Sequence, residues 1–378
     1  MIQSINLTIP ERVKIIDLAG HYKFIQDEID EAIKGVLESG NYVLGNNVAS
    51  FEQELAHYLG CKHVVSCANG TDALYLALRA LDIGHGDEVI TVSHSFFATT
   101  GSILLSGATP VFVDIRESDF NIDPLKIEEQ VTKKTKAIIP VHLYGNPCDM
   151  TEIMKLAKKH NLYVIEDTAQ AIGAKHKGKI AGTFGDLGTF SFFPTKNLGA
   201  FGDGGAVCTN DDKLAENLRK IRVHGSPGRY VHEVLGINSR LDEIQAAILK
   251  VELRYLDKWN TKRQAAAKYY FEKLGKIPEL ILPGCLDGNK HVFHQYTIRH
   301  SKRDLIQEEL KKLNIESIIY YPIPIHKQKA LEKINFKKGS LNVTEKICNE
   351  VLSLPIYPSI SQDIQDHVAK NIKNILNL

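Results

Sequence analysis

The chain lacks the cysteine patterns that hold metals or cross-link small folds. None of its six cysteines stands in a Cys-x-x-Cys pair, and their spacing is irregular. This excludes a paired-cysteine zinc site and gives no framework for a disulfide-rich domain. We therefore expect no bound metal, and reduced, mostly buried thiols in a cytoplasmic protein. The thiols are Cys61, Cys67, Cys148, Cys208, Cys285 and Cys348.

The chain is also poor in net charge and in long apolar runs. Lys and Arg total 46 against 45 Asp and Glu, which leaves a net charge of +1. This balance gives no overall field for holding a nucleic-acid backbone or an anionic membrane. No stretch reaches the roughly 18 uninterrupted apolar residues that a membrane helix needs. The N-terminus "MIQSINLTIPERVKIIDLAG" has polar residues and a proline, so we expect no signal peptide.

Short β-branched runs alternate with longer helical segments between about residues 60 and 210. This alternation is typical of a mainly parallel sheet covered by helices on both faces. We predict helices over 71–81, 98–105, 124–131 and 150–160, of which Asp123 and Asp149 cap the last two. The seven predicted strands are "HVVSC", "DEVITVS", "TPVFVDI", "KAIIPVHL", "LYVIED", "LGTFSFF" and "GAVCTN".

The character of the sequence changes after about residue 210, where long charged helices such as "LDEIQAAILKVELRYLDKW" follow. At 378 residues the chain is long enough for two domains with separate cores. We predict a large α/β domain over 1–250, whose N-terminal helix "YKFIQDEIDEAIKGVLESG" ends at Gly40. A smaller α+β domain is predicted over 251–378.

Two common nucleotide-binding motifs are absent. The segment "GAKHKGKI" resembles the start of a P-loop, but Ile180 replaces the Ser or Thr that would bind magnesium. No Gly-x-Gly-x-x-Gly follows any predicted strand, so a hydride-transferring Rossmann enzyme has no support.

One lysine, Lys196, stands in the glycine-rich segment "FFPTKNLGAFGDGG" after a predicted strand. A partly desolvated lysine loses its proton easily and can attack a carbonyl to form a Schiff base. The glycines would let a cofactor approach closely. The alternative is a surface lysine in a flexible loop, so the catalytic interpretation needs independent support.

That support comes from the segment "YVIEDTAQAIGA". Asp167 ends an apolar strand, at the edge of the sheet where ligands bind in open α/β folds. A carboxylate there could keep the ring nitrogen of pyridoxal phosphate protonated. Gln170 could reach the phenolic oxygen of that ring, with Ala169 beneath it. Alternatively, Asp167 caps a turn and Gln170 faces water.

A phosphate site is predicted at the turn in "CANGTDALYLAL". Gly70 bends the chain and Thr71 begins a helix, whose free backbone amides and dipole favour an anion. Ser191 could add a hydroxyl. Phe96 and Phe97 follow another strand, where one ring could stack on a cofactor and the other fill the core. Each feature alone has an ordinary structural explanation, but all of them follow different strands at the same edge.

The segments "NGTDAL", "EDTAQAIGA", "SFFPTKNLGAFGDGGAV" and "NSRLDEIQAAIL" resemble the signature blocks of the DegT/StrS nucleotide-sugar aminotransferases. The resemblance covers nearly the whole chain. It implies fold type I of the pyridoxal-phosphate enzymes. It also implies that Lys196 binds the cofactor covalently and moves protons, Asp167 holds the ring nitrogen, Gln170 holds the phenolic oxygen and Phe96 stacks on the ring. The residues that hold the phosphate by resemblance are Gly70, Thr71 and Ser191.

The resemblance further implies a homodimer with shared active sites. In the family an asparagine from the neighbouring subunit reaches the phosphate, and here it corresponds to Asn238 in "GINSRLDE". Thr168 stands where relatives often have Ala or Cys, a change that we expect to be neutral. Residues implied at the sugar are Tyr320, His326, Arg229 and Tyr230, with His232 nearby. The alternative for each of them is a surface or interface residue.

The lysine block "PTKNLGAFGDGG" resembles relatives that aminate C3 of a keto-sugar. The stretch "RVHGSPGRYVHEVLGINSRLDEIQAAILKVELRYLDKWNTKR" further resembles the 3-aminotransferases of dTDP-3-keto-6-deoxyhexoses. Together these blocks imply transfer of an amino group from L-glutamate to a dTDP-3-keto-6-deoxyhexose. The resulting amino sugar would enter a surface polysaccharide, such as the O-antigen of lipopolysaccharide, or a glycoside. Three alternatives remain: an aminotransferase acting at C4, a pyridoxal-phosphate sugar dehydratase, and a non-catalytic sugar-nucleotide binder. The dehydratase branch has histidine in place of Lys196.

Overall fold

The structure is a computed structural model, and it describes residues 9–228 and 230–377. Helices in this part of the chain are α1 (Leu18–Phe24), α2 (Gln26–Ser39), α3 (Asn46–Leu59), α4 (Gly70–Ala80), α5 (Phe97–Leu105), α6 (Met150–His160), α7 (Asp212–Ile221), α8 (Glu243–Leu274), α9 (Arg303–Lys312), α10 (Asn342–Cys348) and α11 (Gln362–Ile375). Strands are β1 (His63–Cys67), β2 (Glu88–Val92), β3 (Thr109–Val113), β4 (Thr135–Ile138), β5 (Tyr163–Asp167), β6 (Lys175–His176), β7 (Lys179–Ile180), β8 (Leu187–Ser191), β9 (Gly205–Thr209), β10 (Asn289–Lys290), β11 (Tyr296–Arg299), β12 (Lys337–Lys338) and β13 (Val351–Leu354).

The central sheet has the strand order β1-β9-β8-β5-β4-β2-β3-β12. Within the described ranges, β9 alone runs against its neighbours β1 and β8, and the other pairs are parallel. The predicted α/β class and the seven predicted strands are confirmed. The sequence analysis does not predict β12, a two-residue strand that pairs with β3 at the edge of the sheet.

The parallel strands bring their carboxyl ends to one edge of this sheet. β1 ends at Cys67, β5 at Asp167 and β8 at Ser191. Since β5 and β8 are hydrogen-bonded neighbours, the segments after Asp167 and Ser191 start side by side. This edge is where open α/β sheets bind ligands.

Three of the four helices predicted within this domain form as α4, α5 and α6, with bounds within one residue of the prediction. The prediction of a helix over 124–131 is wrong, because the segment forms two 3-10 turns, Pro124–Lys126 and Glu128–Gln130. Asp123 does cap the first turn, accepting from the Leu125 N–H at 3.1 Å. Leu125 is 86% exposed, so the segment lacks the continuous apolar face that stabilises a full helix.

The predicted N-terminal helix is divided into α1 and α2 at Ile25, whose ψ of 22° is not helical. α2 ends at Gly40 with φ +63°, as expected for a glycine that terminates a helix. The break directs Ile25 and Ile29 against Trp259 of α8, where the three side chains share a small apolar core.

A second structural unit surrounds the two-stranded sheet β11–β13 with α9, α11 and the end of α8. α8 passes without interruption through the boundary predicted at residue 250. Leu249 packs in a core of the large unit, and Tyr270 packs in the core of the small one. The boundary therefore stays a prediction, because this helix serves both cores. No helix within 9–228 and 230–377 has the length and apolar character required to cross a bilayer.

Candidate active site

A cavity of about 690 Å³ opens at the carboxyl ends of β1, β5 and β8. Residues from separate parts of the chain line its wall, because the parallel strands that precede them all end at this edge of the sheet. The lining includes nine of the residues proposed from the sequence, namely Gly70, Thr71, Phe96, Asp167, Ala169, Gln170, Ser191, Lys196 and Tyr320.

The N-terminus of α4 forms one end of the cavity. Asn69 caps the helix, with its side-chain oxygen accepting from the Asp72 N–H at 2.8 Å. A Cβ added to Gly70 would lie 2.6 Å from the Ser191 Cβ, so glycine is required for α4 to begin against β8. The first amides of the helix lack intrahelical partners and lie at the positive end of its dipole. With the hydroxyls of Thr71 and Ser191 beside them, these amides suit a phosphate group.

Asp167 ends β5 and is only 5% exposed. Its Oδ2 accepts from the Thr99 hydroxyl at 2.8 Å, and its Oδ1 accepts from the Ala169 N–H at 3.2 Å. Burial raises the pKa of Asp167, and the Thr99 hydrogen bond opposes that rise. Thr99 is a site residue that sequence reasoning missed, because nothing in "FFATT" indicates which threonine faces the carboxylate.

Lys196 lies in a tight turn after β8 and is partly buried in the cavity wall. Its backbone N–H donates to the Phe193 carbonyl at 2.8 Å. A Cβ on Gly199 would lie 2.6 Å from the Pro194 carbonyl oxygen, so this glycine lets the chain fold back beside the lysine. Desolvation lowers the pKa of Lys196 to about 8, although the Asp167 charge opposes the change. A large fraction of the amine is therefore neutral and nucleophilic at mildly alkaline pH.

Gln170 is held in one orientation by two hydrogen bonds. Its side-chain oxygen accepts from the Tyr144 N–H at 2.7 Å, and its Nε2 donates to the Tyr321 hydroxyl at 3.1 Å. An amide nitrogen carries two hydrogens, so one N–H remains for a ligand in the cavity. Tyr321 also lines the cavity and was missed from the sequence, although its neighbour Tyr320 was singled out.

Phe96 lies at the rim of the cavity and is 57% exposed. Its ring centroid is 6.1 Å from that of Tyr321. The rim therefore offers an open aromatic face to a flat ring in the cavity.

Four residues implied by the resemblance are not brought to this cavity. His326 is buried elsewhere, and its ring nitrogens contact Ser93 Oγ at 2.7 Å and Glu345 Oε1 at 3.1 Å. Tyr230 is 95% exposed on a surface loop, and its neighbour His232 is exposed as well. Asn238 is exposed and lies off the cavity of its own chain. Arg229 lies outside the described residues.

The cavity meets the chemical requirements of pyridoxal phosphate. The α4 N-terminus provides an anion site that a Cβ at Gly70 would obstruct. Asp167 provides a carboxylate for a ring nitrogen, and Lys196 provides an amine of lowered pKa for an aldehyde. All three line one cavity, which is the arrangement that this cofactor needs.

Comparison with family models gives a match over residues 23–373 to the DegT/DnrJ/EryC1/StrS aminotransferase family. The chain belongs to this family. It is an aminotransferase, and its cofactor is pyridoxal phosphate. The match confirms the family, the enzyme class and the cofactor that the sequence motifs implied.

Curated members of the DegT/DnrJ/EryC1/StrS family are similar over almost their full length. A protein of Geobacillus stearothermophilus named pleiotropic regulatory protein is 50% identical, with 95% of this chain and 97% of the relative covered. The dTDP-3-amino-3,6-dideoxy-alpha-D-galactopyranose transaminase of Aneurinibacillus thermoaerophilus is 48% identical, with 95% and 98% covered. The UDP-N-acetyl-3-dehydro-alpha-D-glucosamine 3-aminotransferase of Acidithiobacillus ferrooxidans is 47% identical, with 97% and 98% covered.

A solved structure of the family has the same fold. The DesV protein of S. venezuelae, in complex with a ketimine intermediate, superposes with a TM-score of 0.93 at 43% identity. The match covers 96% of this chain and 98% of DesV. This confirms the predicted fold type for both structural units.

Proposed function

We propose that this enzyme transfers the amino group of L-glutamate to the C3 keto group of a dTDP-3-keto-6-deoxyhexose. The product would be a dTDP-3-amino-3,6-dideoxyhexose for a surface polysaccharide or a glycoside. The observation that supports this most strongly is the pair formed by Lys196 and Asp167 on one cavity, beside an anion site. The relative named as a dTDP-3-amino-3,6-dideoxy-alpha-D-galactopyranose transaminase supports the choice of sugar.

Each residue has a distinct task in this proposal. Pyridoxal phosphate, when bound, supplies an aldehyde for the amine and an electron sink for the carbon that loses a proton. Asp167 keeps the ring nitrogen protonated, since its ionised form is supported by the Thr99 hydroxyl. Lys196, with a pKa of about 8, is suited to take and return the proton at the reacting carbon. Gln170 would donate its second side-chain N–H to the phenolic oxygen of the cofactor ring.

The nucleotide could instead be UDP. A UDP-sugar 3-aminotransferase is nearly as similar to this chain as the dTDP-sugar enzyme, at 47% against 48% identity. Both relatives are named for chemistry at C3, which favours C3 over C4 as the position of the new amine.

Product analysis tests the proposal directly. The enzyme is incubated with glutamate and a panel of 3-keto and 4-keto sugars linked to dTDP or UDP, and products are identified by mass spectrometry and NMR. We expect a new amine at C3 of a dTDP-linked 6-deoxyhexose. A C4 amine, loss of water without an amine, or reaction of UDP sugars alone would contradict it. The Lys196→Ala variant is the inactive control.

We also propose that the active unit is a homodimer in which Asn238 reaches the phosphate site of the other subunit. Asn238 is exposed and does not line the cavity of its own chain. An exposed side chain in this place is free to enter the cavity of a second subunit. Its neighbour Ser239 is fully buried and donates to Asp72 at 2.6 Å. This bond fixes the segment that would carry Asn238 to a partner. The cytoplasmic location stays a prediction.

A further inference from the structure

Tyr144 connects two segments that line the cavity, although it does not line the cavity itself and is only 2% exposed. Its backbone N–H donates to Gln170 Oε1 at 2.7 Å, and its hydroxyl donates to the backbone carbonyl of Tyr320. Gln170 Nε2 in turn donates to the Tyr321 hydroxyl at 3.1 Å. Tyr144 therefore holds Gln170 with its main chain and the segment 320–321 with its side chain.

The backbone of Tyr144 adopts an unusual conformation. Its φ is +59°, in the left-handed region that a bulky side chain rarely adopts. Residues persist in this region only where the surrounding structure determines their conformation, and they cluster at functional sites. Here the surroundings are the two hydrogen bonds to the cavity wall and an edge-on contact with the Phe120 ring, at 5.5 Å between centroids. In this conformation the two polar groups of Tyr144 reach both segments.

A chain of hydrogen bonds behind the cavity wall fixes the direction of the Tyr144 hydroxyl. His94 Nε2 lies 3.0 Å from that hydroxyl, and Cys348 Sγ lies 3.4 Å from His94 Nδ1. Burial lowers the pKa of His94 to about 3 and raises the pKa of Tyr144, so both side chains are neutral near pH 7. Because Tyr144 gives its one hydrogen to the Tyr320 carbonyl, His94 Nε2 must carry a hydrogen and donate it to Tyr144. His94 Nδ1 is then unprotonated and accepts from the Cys348 thiol.

The segment held by Tyr144 borders the place where the substrates react. In pyridoxal phosphate the aldehyde and the phenolic oxygen are carried by neighbouring carbons of the ring, and Gln170 is the residue proposed for that oxygen. The side chains of Tyr320 and Tyr321 line the cavity on the side of Gln170. Glutamate and the sugar react here in turn, and the nucleotide sugar is the larger of the two. It therefore needs more of this wall than glutamate does.

We propose that Tyr144 is a positioning residue for the sugar substrate, whose hydroxyl keeps Tyr320 and Tyr321 in the orientation that the nucleotide sugar requires. This rests on the proposed function in taking a keto-sugar nucleotide as the larger substrate. The reaction with glutamate depends less on this hydroxyl, because the main chain at 144 makes the bond that holds Gln170. Loss of the hydroxyl alone should therefore separate the two halves of the reaction.

The test compares Tyr144→Phe with the wild-type enzyme in each half of the reaction. Holoenzyme is mixed with glutamate alone, and the loss of the cofactor absorbance gives the apparent Kd and rate of the donor reaction. Enzyme loaded with pyridoxamine phosphate is mixed with the keto-sugar that the product analysis identifies. We expect the Kd for the sugar to rise about fivefold or more, as for a lost buried hydrogen bond. The glutamate reaction, and the Kd for pyridoxal phosphate from equilibrium dialysis, should stay close to wild type.

The matched control is Tyr296→Phe, which deletes another buried hydroxyl. Among the described residues the Tyr296 hydroxyl has no hydrogen-bond partner, so neither half-reaction should change. Two substitutions of His94 keep the test decisive if Tyr144→Phe folds poorly. His94→Leu removes the N–H that holds the Tyr144 oxygen and should raise the Kd for the sugar. His94→Gln places an amide N–H where Nε2 stands and should recover most of the binding.

A second measurement reads the segment without any sugar. Hydrogen–deuterium exchange of the holoenzyme is followed by mass spectrometry in peptides that cover 315–324. We expect faster exchange there in Tyr144→Phe and not in Tyr296→Phe, because the segment is no longer tied to the turn at 144.

Unchanged exchange in 315–324, an unchanged Kd for the sugar, or an equal loss in both half-reactions would overturn the role of Tyr144. A failure of the proposed function would look different. If no keto-sugar of the panel is aminated, the choice of sugar is wrong, but the exchange of this segment is still measured.

Discussion

The Thr99 hydroxyl donates to Asp167 Oδ2 at 2.8 Å, and Ser95 Oγ lies 2.9 Å from the same hydroxyl. A hydroxyl has one hydrogen to donate. Because Thr99 gives its hydrogen to the carboxylate, Ser95 must donate to Thr99. This short chain of hydrogen bonds favours the ionised form of Asp167 in a place where burial disfavours it.

Replacing Thr99 by Val should lower kcat about 10-fold or more, since hydrogen bonds to charged groups contribute roughly 1.5–3 kcal/mol. The pKa of Asp167 would rise further, and its hold on a ring proton would weaken. Steady-state kinetics with glutamate and the identified keto-sugar measure the effect, which should fall on kcat more than on KM. Thr99→Ser keeps the hydroxyl and should recover most of the activity. A normal kcat in Thr99→Val would remove Thr99 from the mechanism.

Covalent capture of pyridoxal phosphate by the apoenzyme should speed up as pH rises, with a midpoint near pH 8 and a plateau above about pH 9. Only the neutral amine attacks the aldehyde, and the pKa of Lys196 is lowered to about 8 from its ordinary 10.5. Stopped-flow absorbance over about pH 6–11.5 follows the reaction, with about 0.5 pH unit between points. A midpoint near 10.5 would mean that the lysine is fully hydrated before the cofactor binds.

Gly70→Ala should raise the Kd for pyridoxal phosphate by about 10-fold or more. The new Cβ would lie 2.6 Å from the Ser191 Cβ, so the start of α4 must move away from β8 and the anion site must widen. Equilibrium dialysis measures the affinity. Gly35→Ala is the matched control, because its Cβ meets nothing within 4 Å, and it should leave the Kd unchanged. The Gly35→Ala variant should also stabilise α2 by about 0.5–1 kcal/mol, because alanine favours the helix more than glycine does.

Glu166→Gln should lower the free energy of unfolding by about 2–4 kcal/mol. Glu166 is fully buried beside Asp167, and each of its two oxygens accepts from two N–H groups. An amide NH₂ in either orientation would face two donors and leave them unsatisfied. The donors are Gly182 N, Phe184 N, Gly185 N and His142 Nε2, at 2.7, 2.6, 2.8 and 3.0 Å.

Urea unfolding of the holoenzyme gives this free energy. Glu152→Gln on the exposed side of α6, where the side chain is 49% exposed, should change it by less than about 0.5 kcal/mol. Equal stability of the two variants would show that Glu166 is not needed to hold the turn 182–185.

Mixing inactive variants should restore activity if Asn238 serves the partner subunit. Lys196→Ala and Asn238→Ala are each expected to be inactive. In the mixed dimer, one site combines the intact Lys196 of one subunit with the intact Asn238 of the other. After dissociation and reassembly of an equal mixture, we expect about a quarter of wild-type activity. No recovery, with mixed dimers demonstrated by differently tagged subunits, would place Asn238 outside the shared site.

The sequence predicts the centre of the site because parallel strands place their carboxyl ends together. Lys196, Asp167 and Gly70 each follow a recognisable strand or begin a recognisable helix, so their meeting on one cavity follows from the α/β pattern. The prediction failed for 124–131, where Asp123 and a proline start a turn but the exposed Leu125 interrupts the apolar face that a full helix needs.

The supporting residues could not be predicted because their contacts join distant parts of the chain. The hydrogen bond from Thr99 to Asp167 joins residues 68 positions apart in the sequence, and that from Gln170 to Tyr321 joins residues 151 positions apart. Nothing in "HLYGN" indicates that the Tyr144 hydroxyl reaches the Tyr320 carbonyl. His326 illustrates the opposite problem, since the pattern "YYPIPIH" does not indicate that its ring is turned away toward Ser93 and Glu345.

The long helix α8 limits how this enzyme can admit a bulky substrate. Its 32 residues span about 48 Å at 1.5 Å per residue. At its first turn Glu243 accepts the N–H groups of Gly45, Asn47 and Val48 at 2.8–2.9 Å, and its last turns are embedded in the small unit. A hinge motion between the two units would have to bend this continuous helix. We therefore expect the sugar substrate to gain access by rearrangement of surface loops, and not by motion of one unit against the other.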